Sequence, residues 1–370
     1  LRFFVEMFHD MLLIRIHSGC SVFSLIIHST AGKSQVLSVK KPAAGTALPE
    51  FCGTLCRRLS SCAGARRVVQ YRKTTEERTM YELIQAKGRS YYIESPAKVG
   101  LVRLNDAEVC LIDSGSDKDA GRKVRQHLDA NGWRLTAIYN THSNADHIGG
   151  NQYLQKQTGC PIYAPGMEQY VTCRTVLEPS LLYGGCPPKA LRNKFLMAQE
   201  SGAAPLTADV LPEGWELLPL PGHFLDMVGF RTPDDVVYLA DCLASRETLD
   251  KYGIAFLYDV NAYLATLERV KAMSAALFIP SHAAATEDIA PLAQYNIDRT
   301  NEAAERIAAL CTGVTFDELL SAVFAAYGLA MSLPQYALMG STVRSYLSYH
   351  MDAGQIAAQP DGTRLIWQRI

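Results

Sequence analysis

"NTHSNADHIGGN", residues 140–151, sets two histidines, an aspartate and an asparagine within positions 142–147. The stretch follows an apolar run, "LTAIY" (135–139), whose composition is that of a strand. Ahead of it, "DAGRKVRQHLDANGW" (119–133) predicts an amphipathic helix that ends near Gly132, with Val124 and Leu128 facing inward. Further upstream, "SYYIES" (90–95), "VGLVRLN" (99–105) and "EVCLIDSGS" (108–116) are strand-like and close in turn formers. Strand, helix and strand with polar groups gathered at strand ends is the pattern of an α/β fold, where such ends hold the chemistry.

Four of the nine histidines make sense together. His142 and His147 lie in the opening stretch. "WELLPLPGH" leads to His223, "DVVYLAD" to Asp241 and "AALFIPSH" to His282. A lone histidine at a strand end is usually a surface or capping residue. Four of them, joined by Asp146 and Asp241 at the ends of successive strands, are a ligand set for zinc or iron(II). Zinc lowers the pKa of a bound water to about 7 and so supplies a hydroxide nucleophile at neutral pH.

"THSNADHIGGN" resembles the H-x-H-x-D-H signature of the metallo-β-lactamase superfamily. "LIDSGS" with Asp113, "PGH", "LAD" and "PSH" resemble that family's later elements, in the same order, over about residues 90–285. The resemblance implies an αββα sandwich, two sheets face to face with helices outside. It assigns His142 and His223 to a first metal, Asp146, His147 and His282 to a second, and Asp241 to both. Asp113 would hold the ligand loop by hydrogen bonds. Gly149 and Gly150 would let the backbone turn away from the metal. Cys242, next to Asp241 in a strand, points to the opposite face and reads as a small buried residue.

Asn144 departs from the signature, standing where the second histidine belongs. An amide oxygen is a poorer zinc ligand than imidazole, so the second position should hold metal more firmly than the first. Three readings compete. Asn144 orients water or substrate beside a single metal; it ligates weakly and the site stays binuclear; or the enzyme is degenerate.

The bulk properties fit a large packed core, with 370 residues, 48% hydrophobic, and a net charge of −1 that argues against a general polyanion binder. The charge is uneven: residues 1–79 hold 12 Lys/Arg against 5 Asp/Glu. That segment shows no steady period and begins with Leu1. It reads as a disordered, dispensable extension with the native start at Met80. Ten scattered cysteines suggest reduced thiols in a cytoplasmic protein, and Cys52 and Cys56 have zinc-like spacing without a second pair. No apolar run is long enough to span a membrane.

Residues 80–290 read as the catalytic domain, interrupted at 165–210 by "LLYGGCPPKALRNKFLMAQ" and its flanks. This insert is a candidate lid, with Tyr183, Arg192 and Lys194 as substrate contacts, or else an ordinary surface insertion. Residues 295–370 predict three helices and a hairpin. "NEAAERIAALCTG" ends at Gly313, "TFDELLSAVFAAYG" opens with a Thr315/Glu318 capping box, "GSTVRSYLSYHMDAG" follows, and Asp361-Gly362 turns the hairpin. The arrangement resembles a winged helix. Its would-be recognition helix offers only Arg344, opposite Asp352, too little to neutralise phosphates, so packing or homodimerisation is the better role.

The whole predicts a cytoplasmic metal-dependent hydrolase holding one or two zinc ions, with iron as the other candidate, and acting on a small-molecule ester or thioester. Asp146 handles the proton, with Asn144 beside it. A phosphodiesterase or ribonuclease, an iron-dependent dioxygenase and a non-catalytic metal-binding sensor are the alternatives.

Overall fold

Alternation along the strands sets the layers. In β8 (Glu108–Ile112), Cys110 and Ile112 point one way, Val109 and Leu111 the other, and all four are buried. In β14 (Val236–Ala244), Val236 and Tyr238 likewise oppose Val237 and Leu239. Strands buried on both faces need cover on both. Cys110, Ile112, Val236 and Tyr238 join Val102, Tyr139, Phe230 and Ile279 in one apolar layer between two sheets.

This is a computed structural model; it describes residues 80–370 and, ahead of them, only the backbone of β1 (Arg2–Met7), β2 (Asp10–Arg15), β3 (Val22–His28) and β4 (Ser34–Lys40), an antiparallel sheet in that order. The expected disordered extension, with Cys52 and Cys56, otherwise falls outside the described residues.

From residue 83 the first sheet comprises β5 (Leu83–Lys87), β6 (Ser90–Ile93), β7 (Val99–Arg103), β8, β9 (Arg134–Tyr139), β10 (Ile162–Ala164) and β11 (Ala203–Pro205), in the order β11-β10-β9-β8-β7-β6-β5. β8 to β11 run parallel and β5 to β8 antiparallel. The second sheet is β12 (Glu216–Pro219), β13 (Val228–Arg231), β14 and β15 (Leu277–His282), with β14 and β15 parallel.

Helices cover the outer faces. α1 (Lys118–Asn131) is capped by Asp117, which accepts from the amides of Asp119 and Ala120, and closes on Gly132 in the left-handed region (φ 66°). Val124 and Leu128 face inward, as the periodicity requires, and pack with Leu154 of α3 (Asn151–Thr158) against Leu101, Leu111 and Ile138. The second sheet is covered by α7 (Val260–Lys271), α8 (Ala290–Leu310), α9 (Phe316–Ala326) and α10 (Leu333–Asp352). Val237, Leu239, Leu267, Ile307, Leu320, Val323 and Val343 form one continuous core. The order of layers is therefore αββα.

The C-terminal region has its Thr315/Glu318 capping box and a hairpin of β17 (Ile356–Asp361) and β18 (Arg364–Arg369), joined by β16 (Thr312–Val314) in the order β16-β18-β17. α10 starts seven residues before the expected helix: Ser332 caps it by accepting from the Gln335 amide, and Pro334 occupies its first turn.

Candidate metal centre

β8 and β9 end side by side and deliver the two halves of one scaffold. Asp113 follows β8 with a left-handed backbone (φ 62°), which aspartate tolerates better than most residues. Its Oδ1 accepts from the Thr141 amide (2.8 Å), and its Oδ2 accepts from the Thr141 hydroxyl (2.7 Å) and from His147 Nδ1 (2.8 Å). One buried carboxylate thus ties the exit of β9 to α2 (Ala145–Ile148), the short helix that carries Asp146 and His147. Gly149 and Gly150 have ordinary negative φ, so turning is not their task. A Cβ on Gly149 would sit 2.3 Å from the Ser116 carbonyl carbon, and one on Gly150 2.3 Å from the Ser114 oxygen. They are glycines so that the strand ends can press against the motif.

Hydrogen bonds fix the imidazole tautomers. His147 Nδ1 donates to Asp113, and His282 Nδ1 donates to the Pro96 carbonyl (2.7 Å). Thr141 spends its hydroxyl proton on Asp113, so in the 3.0 Å contact between Thr141 Oγ1 and His142 Nδ1 the ring is the donor. When neutral, all three rings turn an Nε2 lone pair toward the space around Asp241. Asp241 is already there: its Oδ1 lies 3.0 Å from His147 Nε2, and its Oδ2 lies 3.0 Å from His282 Nε2 and 3.6 Å from His223 Nε2. Asp146 Oδ2 lies 3.3 Å from His282 Nε2. His142 Nε2, His147 Nε2 and Asp241 Oδ1 are buried without a hydrogen-bond partner.

Lone pairs and carboxylates facing one another are unfavourable unless a cation lies among them. The donor atoms fall into two groups, His142/His223/Asp241 and Asp146/His147/His282, each with its atoms within 4.8 Å of one another. The residues present therefore fit a metal ion, in the donor classes that zinc or iron accept.

With no cation among these groups, the carboxylates draw protons onto two of the rings in its stead. Burial disfavours the charge of His147, yet Asp241, Asp146 and Asp113 raise its pKa well above the ordinary imidazole value. Burial is likewise outweighed at His282, lifted to about 10 by Asp241 and Asp146. Protein atoms crowd Asp146 and oppose its charge, although its side chain is 42% exposed; His147 and His282 still hold its carboxyl down at about 2. His142 and His223 go the other way, lowered by burial and by their neighbouring imidazoles.

His223 depends on Gly222, whose φ of 123° and contact with the Tyr263 backbone exclude any side chain. Asp241 follows Ala240, held left-handed (φ 49°) at an irregularity in the β14–β15 pairing. Such strain belongs at sites the surrounding fold over-determines. Cys242 is buried on the opposite face, in the core under α7, and burial pushes its thiol up.

Two groups behind the motif carry no signature in the sequence. Glu168, on α4 (Gly166–Cys173), accepts from the Ser143 amide and hydroxyl and from the Asp226 amide, and burial pushes it up to about 7. Glu178, on α5 (Leu177–Tyr183), accepts from the Asn144 side-chain amide (2.9 Å); burial raises it well above the usual range. That contact turns Asn144 Oδ1 to His223 Nε2, 3.1 Å away. The 165–210 insert therefore braces the motif from behind. Tyr183 is exposed, Arg192 lines a separate cavity with Gln152 and Glu200, and Lys194 pairs with Asp117 at 3.0 Å.

The cleft of about 450 Å³ that opens onto His223, Asp241 and His282 is walled elsewhere, by Phe256, Leu338 and Met339 among others; Tyr183, Arg192 and Lys194 do not line it. Neither the bracing glutamates nor the wall follow any spacing rule, because each is brought in from far along the chain. Thr141, next to the first ligand, is the missed residue that β9's end signals. No helix among the described residues is long and apolar enough to cross a membrane.

Comparison with known proteins agrees with this geometry. The chain is 28% identical over 154 residues to a hydroxyacylglutathione hydrolase of Methylococcus capsulatus, a match covering 41% of this chain and 49% of that protein. The chain spans about half the length of the curated relatives it matches. Its fold matches a beta-lactamase domain protein from Burkholderia ambifaria (TM-score 0.63, 15% identity, 80% of this chain and 96% of that one). It also matches a metallo-beta-lactamase family protein from Thermus thermophilus (TM-score 0.57, 16% identity, 79% and 98%). The sequence profile of one family matches residues 93–282, half of the chain and the stretch that holds all six candidate donor residues: the chain belongs to the metallo-beta-lactamase superfamily.

Proposed function

We propose that the chain is a zinc-dependent hydrolase of a small carboxylic ester or thioester. The observation that carries this is the convergence of three Nε2 lone pairs on the carboxylates of Asp241 and Asp146, with buried atoms left unpartnered. The hydroxyacylglutathione hydrolases among its relatives support an acyl-transfer reading. When bound, the metal supplies Lewis acidity, lowering the pKa of a coordinated water to about 7 and drawing charge from an acyl oxygen.

The residues do the rest. Asp146, His147, His282 and Asp241 would hold the cation, with His142 and His223 as the weaker donor set. Asp146 is half-exposed beside this set, so its carboxylate can accept a hydrogen bond from the attacking water and pass the proton on to the departing group. A carbon–oxygen bond forms, the carbon–sulfur or ester carbon–oxygen bond breaks, and the thiol or alcohol leaves with that proton. Asp113 keeps His147 in the tautomer this requires.

Asn144 supports one firmly held metal: its oxygen occupies His223 Nε2, which weakens the first position and leaves the second intact. Residues 80–290 carry the candidate metal-binding groups, and 295–370, winged-helix-like in its order of elements, packs against them and supplies Leu329, Gln335, Leu338 and Met339 to the cleft.

The test is hydrolysis of a simple acyl thioester by the purified protein, before and after chelation and zinc re-addition. Loss on chelation and recovery with zinc is expected. Turnover that survives removal of all metal would overturn the assignment.

A further inference from the structure

We infer that the cleft selects an uncharged, apolar substrate body, so that the ester or thioester it works on carries a neutral hydrocarbon group rather than an anionic one. This rests on the hydrolase reading and adds the substrate class. The cleft of about 450 Å³ has His223, Asp241 and His282 at its floor. Its walls are Leu243, Ile254, Phe256, Leu329, Leu338 and Met339, with Thr248 and Tyr252 of α6 (Arg246–Tyr252) and Gln335 of α10 as neutral polar groups. No Lys or Arg is among the described residues that line it. The cations of the insert are committed elsewhere or lie off the cleft: Lys194 pairs with Asp117, and Arg192 belongs to another cavity.

The chemistry follows from desolvation. A hydrocarbon group entering this space leaves water for side chains of its own kind, and each added methylene is worth roughly fourfold in affinity until the cleft is full. A carboxylate on the body of the substrate gives up its hydration and finds no Lys or Arg in the wall; the cation at the floor, beside Asp241, is taken by the acyl group. Phe256 also stands edge-on to His223, with ring centroids 5.5 Å apart at 87°, so the apolar wall reaches the ring that faces the metal position. Gln335, Thr248 and Tyr252 can hydrogen-bond a neutral carbonyl or hydroxyl without a charge.

The experiment is calorimetric titration of the zinc-loaded protein with two matched amides that are not turned over, N-butylhexanamide and the same amide ending in a carboxylate. Hydrolysis of the corresponding thioesters is followed alongside. The neutral amide should bind at least ten times tighter. Leu338→Arg and, separately, Met339→Lys should each narrow or reverse that ratio; two variants are used so that a folding failure in one leaves the other. Equal binding, preference for the carboxylate, or no binding of the neutral amide overturns the inference. If the neutral amide is preferred but neither thioester is hydrolysed, the hydrolase reading fails and the cleft's selectivity stands.

Discussion

On one side of Asp241, His147 and His282 are each tied at Nδ1 to a fixed oxygen, Asp113 Oδ2 at 2.8 Å and the Pro96 carbonyl at 2.7 Å. On the other, His223 Nε2, the atom that faces the site, meets the amide oxygen of Asn144 at 3.1 Å. The residue types are nearly the same, but the first side spends its hydrogen bonds behind the rings and the second spends one in front. A histidine is a firm ligand when its rear nitrogen is anchored and its front one is bare. The two sides therefore differ in readiness, although both stand around one carboxylate.

Removing the carboxylate that both sides share should have the largest effect. Asp241→Ala should leave the purified protein without bound metal and lower thioester hydrolysis roughly 10³-fold or more, since Lewis-acid stabilisation is worth several kcal/mol; elemental analysis and kinetics check both. Next, Asp113→Asn keeps a residue that tolerates the left-handed turn but removes one acceptor from His147 and Thr141. Zinc affinity should fall about 10- to 100-fold, read by competition with a chelating dye. Asn144→His should raise the metal content from about one toward two per chain, erasing the difference between the sides; an unchanged content would mean the soft side is limited by something other than Asn144.

The smallest effect concerns the brace. Burial raises Glu168 from 4.5 to about 7, so the folded chain keeps that proton where the unfolded chain loses it. Its contribution to stability is intact below about pH 4.5 and is lost as pH rises through about 7. Relative to the parent, Glu168→Gln should flatten the slope of unfolding free energy across that window, measured by denaturant titration at several pH values.

The candidate donor residues were legible because His142, His223, Asp241 and His282 each close an apolar run, with Asp146 and His147 one short helix further on. α1, the Thr315 capping box and the Asp361-Gly362 hairpin were legible for the same reason: their signals are local. Glu168 and Glu178 were not, since a glutamate on a short helix reads as solvent-facing until the motif loop is laid over it. The role of Gly149 and Gly150 was misread as turning because close approach by Ser114 and Ser116 comes from a strand more than 30 residues away. The first seven residues of α10 were missed because Pro334 reads as a breaker, and it became a helix start only with Ser332 as cap. The wall of the cleft needed tertiary structure outright.

That wall has a consequence for the order in which the protein is made. The last residue of the metal-binding set is His282, whereas Leu329, Leu338 and Met339 leave the ribosome about 50 residues later, on the order of seconds at ordinary elongation rates. A nascent chain thus carries all its metal-binding groups before the pocket beside them has its far side. On the proposed reading, metal capture and substrate selectivity would arise at separate moments of synthesis, and a ribosome stalled between the two would hold a centre open to water and to any ester that reached it.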